Sequence, residues 1–436
     1  MNPLVRSLYA VAGQAARAAA VLAPAGEGKL RRSLRARRGV RGRWAAWGRE
    51  HRDAAHPLLW MHAPSVGEGL QARPVLELAR RERPDLQLAY SFYSPSAERF
   101  ARGLDVDVAD YLPFDTGGDA AALLDALRPS ALVFSKLDVW PVLAAAAARR
   151  RVPLGLVSAT LAGGSSRRSG PAAGLLRDAY ARLTLVGAIG DDDAARLVAL
   201  GVRADRVRVT GDTRYDQVWR RAAAADRASA LLAPLAPERS GGRFTLVAGS
   251  TWPADERVLL EAWQTVRRQD ARARLVLAPH EPTPAHLAPL EGWARAQRAT
   301  LARLSAVEAG EASGDVDVVL VDRVGVLGEL YAVGDAAFVG GGFHDAGLHS
   351  VLEPAAFALP VTFGPQHENS RDAGLLLAAG GASAVTTART LAELLRRWRT
   401  SDTLRRHAGD AAREVVREGL GADARAWALV RELLDA

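Results

Sequence analysis

Short apolar runs recur along the chain, separated by stretches rich in Ala, Leu and Arg. In the first half the runs are 58–62, 86–93, 131–135, 154–158, 183–189 and 207–211. They are continuous rather than alternating, as strands buried on both faces of a parallel sheet must be. The segments between them, such as LQARPVLELARRERPDL and DAAALLDALRP, read as covering helices. The pattern pauses at LLAPLAPERSGGRF, residues 231–244, whose Pro and Gly punctuation reads as a linker without a strand. It restarts with FTLVAGST, ARLVLAPH, VDVVLVD, AAFVGGGF and LPVTFGP, and ends in a long helical tail. The expected architecture is α/β, with two doubly wound domains facing a central cleft, 56–235 and 236–436, behind a leader of residues 1–55. In such sheets ligands sit beyond the carboxyl ends of the strands, so the residues just after each strand carry the information.

A chain of 436 residues is long enough for two cores. It has no cysteine, which excludes disulfides, thiol catalysis and zinc–thiolate sites and fits a reducing compartment. The net charge of +8 is unevenly placed: residues 1–55 alone carry +9, and the remaining 381 sum to −1. A near-neutral body gives no support to nucleic-acid binding. The leader pairs the apolar PLVRSLYAVAGQAARAAAVLAP with the basic KLRRSLRARRGVRGRW. Arg6 and Arg17 interrupt the first stretch, so it reads neither as a membrane span nor as a signal peptide. Two readings remain, an interfacial helix on an anionic membrane surface or an ordinary solvated helix with an arginine-rich face.

Glu68 stands out in HAPSVGEG, a small-residue turn after the first strand that lacks the lysine of a phosphate-binding loop. In FSKLDVWP, Lys136 and Asp138 follow a strand on one face and are open either to an ion pair or to ligand chemistry. Arg214 in VTGDTRYD either clamps an anion or faces solvent. In VLAPHEP, Pro279 and His280 end another strand, and His280 is either structural or a ligand contact. Ser250, Thr251, Asp255 and Glu256 carry the signature of a helix start. The stretch FVGGGFHDAGLHSVLEPAA joins a glycine-rich turn, including Gly341, to a helix start. Ser350 is a cap candidate there, and Glu353 lies in the first turn. The nine histidines are scattered, and neither H-E-x-x-H, G-x-x-x-x-G-K-[ST] nor G-x-S-x-G occurs.

Taken in order, HAPSVGEGLQARPVLELA, YLPFD, Trp140-Pro141, LVSATLAGGSSRR, VTGDTRYD, LYAVGDAAFVGGGF, HSVLEPAAFALPVTFGP and HENSRDA resemble the 3-deoxy-D-manno-octulosonic acid (Kdo) transferases of lipid A assembly. The resemblance extends over nearly the whole chain. It implies two Rossmann-like domains of the glycosyltransferase B type, acceptor-binding at 56–235 and CMP-sugar-binding at 236–436. It also implies a metal-independent, inverting transfer of Kdo from CMP-Kdo to a lipid A precursor, in lipopolysaccharide core biosynthesis at the cytoplasmic face of the inner membrane. No cofactor is implied. By the family pattern Glu68 is the base and Arg214 steadies transition-state charge; Lys136, although it stands where the family has a glutamate, and Asp138 are counted with them as catalytic candidates. Donor contacts fall on Pro279, His280, Gly325, Val326, Leu327, Gly341, Ser350, Val351, Leu352, Glu353 and Asn369.

The chain departs from the family at four places. Lys136 replaces the first glutamate of Glu-Thr-Glu-Leu-Trp-Pro, and Pro279-His280-Glu281 replaces Pro-Arg-His. Val324-Gly325-Val326 replaces Met-Gly-Glu, and Gly347-Leu348-His349-Ser350 replaces Gly-Gly-His-Asn. These departures keep two alternatives open: a transferase of the same fold using another nucleotide sugar or acceptor, and a non-catalytic scaffold at a membrane surface.

Overall fold

The computed structural model describes residues 3–22, 28–165, 167, 171–236, 243–269, 272–345 and 347–435. The chain divides into two compact units, Met1–Gln217 together with Gly419–Ala436, and Val218–Glu418. The sequence reading drew its boundary at 235 and gave the whole tail to the second domain. In the structure the last helix, Ala422–Leu434, returns to the first unit.

The first unit holds a seven-stranded sheet of β1 (Leu58–His62), β2 (Gln87–Phe92), β3 (Val108–Tyr111), β4 (Ala131–Ser135), β5 (Leu154–Ala159), β6 (Leu185–Ala188) and β7 (Val207–Val209). Its order is β3-β2-β1-β4-β5-β6-β7, and every pair is parallel. The chain therefore reverses direction across the sheet between β1 and β4, where a doubly wound sheet opens its ligand crevice. The residues of β1 and β4 are buried throughout, which explains why they are continuous apolar runs.

The second unit repeats the plan with β8 (Phe244–Thr251), β9 (Ala273–Pro279), β10 (Leu301–Arg303), β11 (Val318–Leu320), β12 (Ala336–Val339), β13 (Val361–Phe363) and β14 (Ala382–Ala384). Its order is β10-β11-β9-β8-β12-β13-β14, again parallel, with the reversal between β8 and β12. The sequence pattern passes over β3, β10 and β14. All three are edge strands, and an edge with a polar or half-exposed face shows no continuous apolar run.

Two further expectations change. Residues 237–242 of the expected linker lie outside the described residues, but Leu231, Leu232 and Leu235 are buried in a core with Val247 and Val276. The basic leader is also partly built into the first unit. Its helices are Pro3–Leu22, Lys29–Ala36 and Val40–Glu50. Trp44 is buried and donates its indole N–H to the Tyr111 carbonyl at 3.0 Å. Arg37, also buried, donates to the Leu112 carbonyl at 3.1 Å and lies 3.6 Å over the Tyr93 ring. Among the described residues no helix is long and apolar enough to cross a membrane.

The C-terminal helix closes the first core. Leu429, Val430 and Leu433 are buried in it, and Trp427 donates to Glu82 at 2.8 Å. A Cβ on Gly155 in β5 would lie 2.5 Å from Leu433 Cδ1, so strand and helix meet at van der Waals range. Leu433→Ala is expected to lower the stability of the first unit by about 2–5 kcal/mol. An unchanged midpoint in urea unfolding of the full chain would show that the helix is only appended.

Candidate active site

Glu68 lies in the first turn of the helix Val66–Glu82, which starts four residues beyond the end of β1. Two side chains hold its carboxylate: Lys136 Nζ at 3.1 Å and the Ser65 hydroxyl, which donates to it. Burial works against ionisation, but the Lys136 charge and these two hydrogen bonds outweigh it and hold the Glu68 pKa below its usual value. Lys136 follows β4, the strand paired with β1, so the pair spans the reversal point of the sheet.

Lys136 adopts φ +65°, a conformation that non-glycine residues seldom take. That twist breaks the alternation that would have placed Lys136 and Asp138 together. Lys136 turns to Glu68, whereas Asp138 accepts from Arg167 at 2.9 Å. Both residues are thus ion-paired, one to the expected base and one to a neighbouring loop. Burial raises the Asp138 pKa against the opposing pull of Arg167.

Arg214 opens the helix Arg214–Ala223. Its Nε and Nη2 donate to the Asp212 carboxylate at 2.9 and 2.7 Å. Asp212 is buried and also accepts from Gln71 at 3.2 Å, and the Thr213 hydroxyl donates to the Gln71 carbonyl at 2.6 Å. Gln71 lies one turn after Glu68 on the same helix. Arg214 and Glu68, 146 positions apart in sequence, are therefore tied to one helix through Asp212 and Gln71. His62, at the end of β1, accepts from Trp140 Nε1 at 3.0 Å and meets the Ser91 hydroxyl at 2.9 Å. Burial pushes its pKa down to about 3, so it is neutral and anchors Trp140.

In the second unit the expected donor residues gather at the carboxyl ends of β8, β9 and β12. Pro279 ends β9, and the His280 N–H donates to the Thr251 carbonyl at 2.9 Å. Gly341, at φ +93°, donates its N–H to Asp255 at 2.8 Å. Leu327 packs on Gly249, where a Cβ would lie 2.8 Å from Leu327 Cδ2, and so carries Gly325 and Val326 toward the end of β8. Glu353 accepts from Arg221 at 3.1 Å, and Arg221 in turn packs on Gly328. Burial raises the Glu353 pKa, and Arg221 offsets part of the rise. Asn369 covers Gly347, where a Cβ would stand 2.5 Å from its amide nitrogen.

The helix after the glycine-rich turn is a correction. It spans only Leu352–Ala356, its cap position is Val351, and Ser350 makes no cap bond. Five residues give little macrodipole, so this helix start is a weak phosphate cradle.

Two features escaped the sequence reading. Asp255, taken as a helix-start residue, is fully buried and accepts from the N–H groups of Trp252, Gly341 and Phe343 at 2.9, 2.8 and 3.0 Å. One carboxylate thereby pins the glycine-rich turn to the end of β8. The second feature is a stack of rings. Trp252 lies 4.6 Å from His344 and 4.7 Å from His280, which lies 4.5 Å from His349. Burial lowers the pKa of His280, and that of His349 to about 4, so both present neutral faces. The only sequence signal was the spacing of Trp252 and the histidines just after strands. Among the described residues no group of three or more His, Asp or Glu is placed to hold a metal ion.

Residues 33–217 match the family model for 3-deoxy-D-manno-octulosonic-acid transferase. A 3-deoxy-D-manno-octulosonic acid transferase from Bordetella pertussis is 32% identical over 419 residues, covering 87% of this chain and 93% of the relative. The chain belongs to the Kdo transferase family. A second Kdo transferase, from Haemophilus influenzae, is 24% identical over 86% of this chain and 87% of its own length. Membership makes the protein a glycosyltransferase enzyme. The fold is shared more widely. A UDP-N-acetylglucosamine 2-epimerase structure from Listeria monocytogenes, described as putative, aligns with a TM-score of 0.61 at 13% identity, over 85% of this chain and 94% of that one. The UDP-GlcNAc 2-epimerase from Neisseria meningitidis bound to UDP-GlcNAc aligns at 0.58 and 12%, over 87% and 99%.

Asp255→Ala in this Kdo transferase homologue leaves three N–H groups without their acceptor, each worth about 1–3 kcal/mol when buried. The second unit is expected to lose at least about 3 kcal/mol, with faster hydrogen exchange at Gly341 and Phe343. Asp255→Asn, which keeps one acceptor oxygen, should fall between. Wild-type exchange at both amides in Asp255→Ala would refute the clamp.

Proposed function

We propose that this enzyme moves Kdo from CMP-Kdo to a lipid A precursor by one displacement, with inversion and without a metal ion. The observation that carries the reading is Glu68: a half-buried carboxylate, kept ionised, at the reversal point of the first sheet. An acceptor hydroxyl attacking the anomeric carbon must lose its proton, and a single ionised carboxylate suffices for that. CMP leaves as a stable anion and needs no acid, in contrast to glycoside hydrolysis with its two carboxyl groups. Lys136 then acts on the base itself, and Arg214, held by Asp212, which Gln71 ties to the helix of Glu68, supplies positive charge. In the second unit the flat ring faces of His344, Trp252 and His280 suit a pyrimidine ring. Gly341 allows close backbone approach, and Glu353 and Asn369 are acceptors or donors for ribose and phosphate.

The reading places the enzyme at the cytoplasmic face of the inner membrane. Leu8 and Val11 of the first helix are 61% and 67% exposed on one face. Arg31, Arg32 and Arg35 are exposed on the next helix, each worth about 1 kcal/mol near an anionic leaflet. A second reading, transfer from another nucleotide sugar, draws support from the ring stack. It includes His280 and His349, two positions in motifs where this chain departs from the family pattern.

Purified enzyme given CMP-Kdo and lipid A precursor should yield a product heavier by the mass of one or more Kdo units, whereas UDP- and GDP-sugars should yield none. Glu68→Ala should lower kcat by roughly 10²–10⁴-fold with CMP binding retained. Near-normal transfer by Glu68→Ala would remove Glu68 as the base. Transfer from a UDP- or GDP-sugar alone would favour the second reading.

A further inference from the structure

The second unit has a cavity of about 430 Å³ at the amino-terminal end of its sheet, the end opposite Trp252, His280 and Gly341. Phe244 and Asp335 stand at the starts of β8 and β12, and Arg272 just precedes β9. Five guanidinium groups line it: Arg227, Arg243, Arg272, Arg399 and Arg405. They come from five separate segments, so the fold assembles them; they are not a charge run that happens to be solvated.

Among the described residues the carboxylates lining the cavity are Asp335 and Asp402. Asp335 accepts from the Thr245 N–H at 2.8 Å and lies 3.6 Å from Arg405. Asp402 pairs with Arg405 at 2.7 Å and Arg406 at 2.8 Å. Arg243 pairs with two carboxylates outside the cavity lining, Asp315 at 3.2 Å and Asp317 at 3.7 Å.

A sixth arginine stands behind the wall. Arg274, in β9, is fully buried and donates to the Thr245 hydroxyl at 3.2 Å and to the Leu235 carbonyl at 2.7 Å. Its Nη1 has no hydrogen-bond partner among the described residues. Burial, reinforced by the Arg243 charge and partly offset by Asp315 and Asp335, pulls its pKa down to about 10.

We infer that this cavity is a second binding site, distinct from the donor end of the same sheet, for an anionic, phosphate-bearing ligand. Guanidinium groups are planar, weakly hydrated and forked, and several of them around one cavity match phosphate oxygens bidentately. A soluble diphosphate and an anionic lipid headgroup share that chemistry.

Calorimetry of the full chain with pyrophosphate, and flotation with phosphatidylglycerol against phosphatidylcholine vesicles, separate the two sources. Pyrophosphate is expected to bind the wild type and to weaken with added salt. Arg227→Glu/Arg399→Glu should lower its affinity at least about tenfold, while His280→Ala, at the other end of the strands, leaves it unchanged. Binding to phosphatidylglycerol alone, lost in the same double variant, assigns the site to a lipid headgroup. Binding of neither probe, or retention in the double variant with loss in His280→Ala, overturns the proposal. Arg227→Gln/Arg399→Gln, which removes charge without reversing it, serves in place of the glutamate pair should thermal unfolding show that pair destabilised.

Discussion

A carboxylate that stays ionised while half-buried needs a fixed cation close by, and Lys136 supplies one to Glu68 at 3.1 Å. Neither residue could reach the other in an extended chain. The pairing depends on β1 and β4 lying side by side, which in turn depends on the sheet reversing direction at that point. It also depends on the left-handed backbone at Lys136, a strained conformation of the kind that collects at functional loops. Sheet order, loop strain and side-chain charge thus converge on one oxygen pair.

The second unit solves a matching problem with the opposite polarity. A glycine-rich turn has many N–H groups and little to hold it, and Asp255 fixes it by accepting two of them, from Gly341 and Phe343, along with the Trp252 N–H at the end of β8. With the turn pinned, the rings of Trp252, His280, His344 and His349 meet in one stack at the strand ends. Burial keeps His280 and His349 neutral. The surface the rings offer is flat and polarisable, whereas five guanidinium groups line a cavity at the other end of the sheet.

Much of this was legible in the residues, for physical reasons. Central strands are buried on both faces, so β1, β4 and β5 announce themselves as apolar runs, and the edges β3, β10 and β14 do not. Glu68 was visible as a carboxylate in a small-residue turn that follows a central strand, where ligands of such sheets bind. The partner of Lys136 was not visible, because side-chain alternation fails wherever φ turns positive. The role of Asp255 was hidden behind a helix-start pattern that any such residue would satisfy. The helix start after the glycine-rich turn was legible, but not its length of five residues or its cap position at Val351. The family pattern located the donor residues; only packing, such as Leu327 on Gly249 and Arg221 on Gly328, shows how they come together.

The central claim is that Lys136 keeps Glu68 an ionised base. Its direct measurement is the pH profile of kcat/KM for Kdo transfer, wild type against Lys136→Met. A base must be deprotonated, so activity falls as pH drops through its pKa. With Lys136 in place that limb lies below the usual carboxylate range, because the ammonium charge and its hydrogen bond favour the ionised form. Removing the ammonium leaves burial opposed only by the hydrogen bonds from Ser65 and the backbone, so the acid limb should move to higher pH, while Glu68→Gln should show low activity with no such limb. An acid limb that stays in place in Lys136→Met would contradict the account.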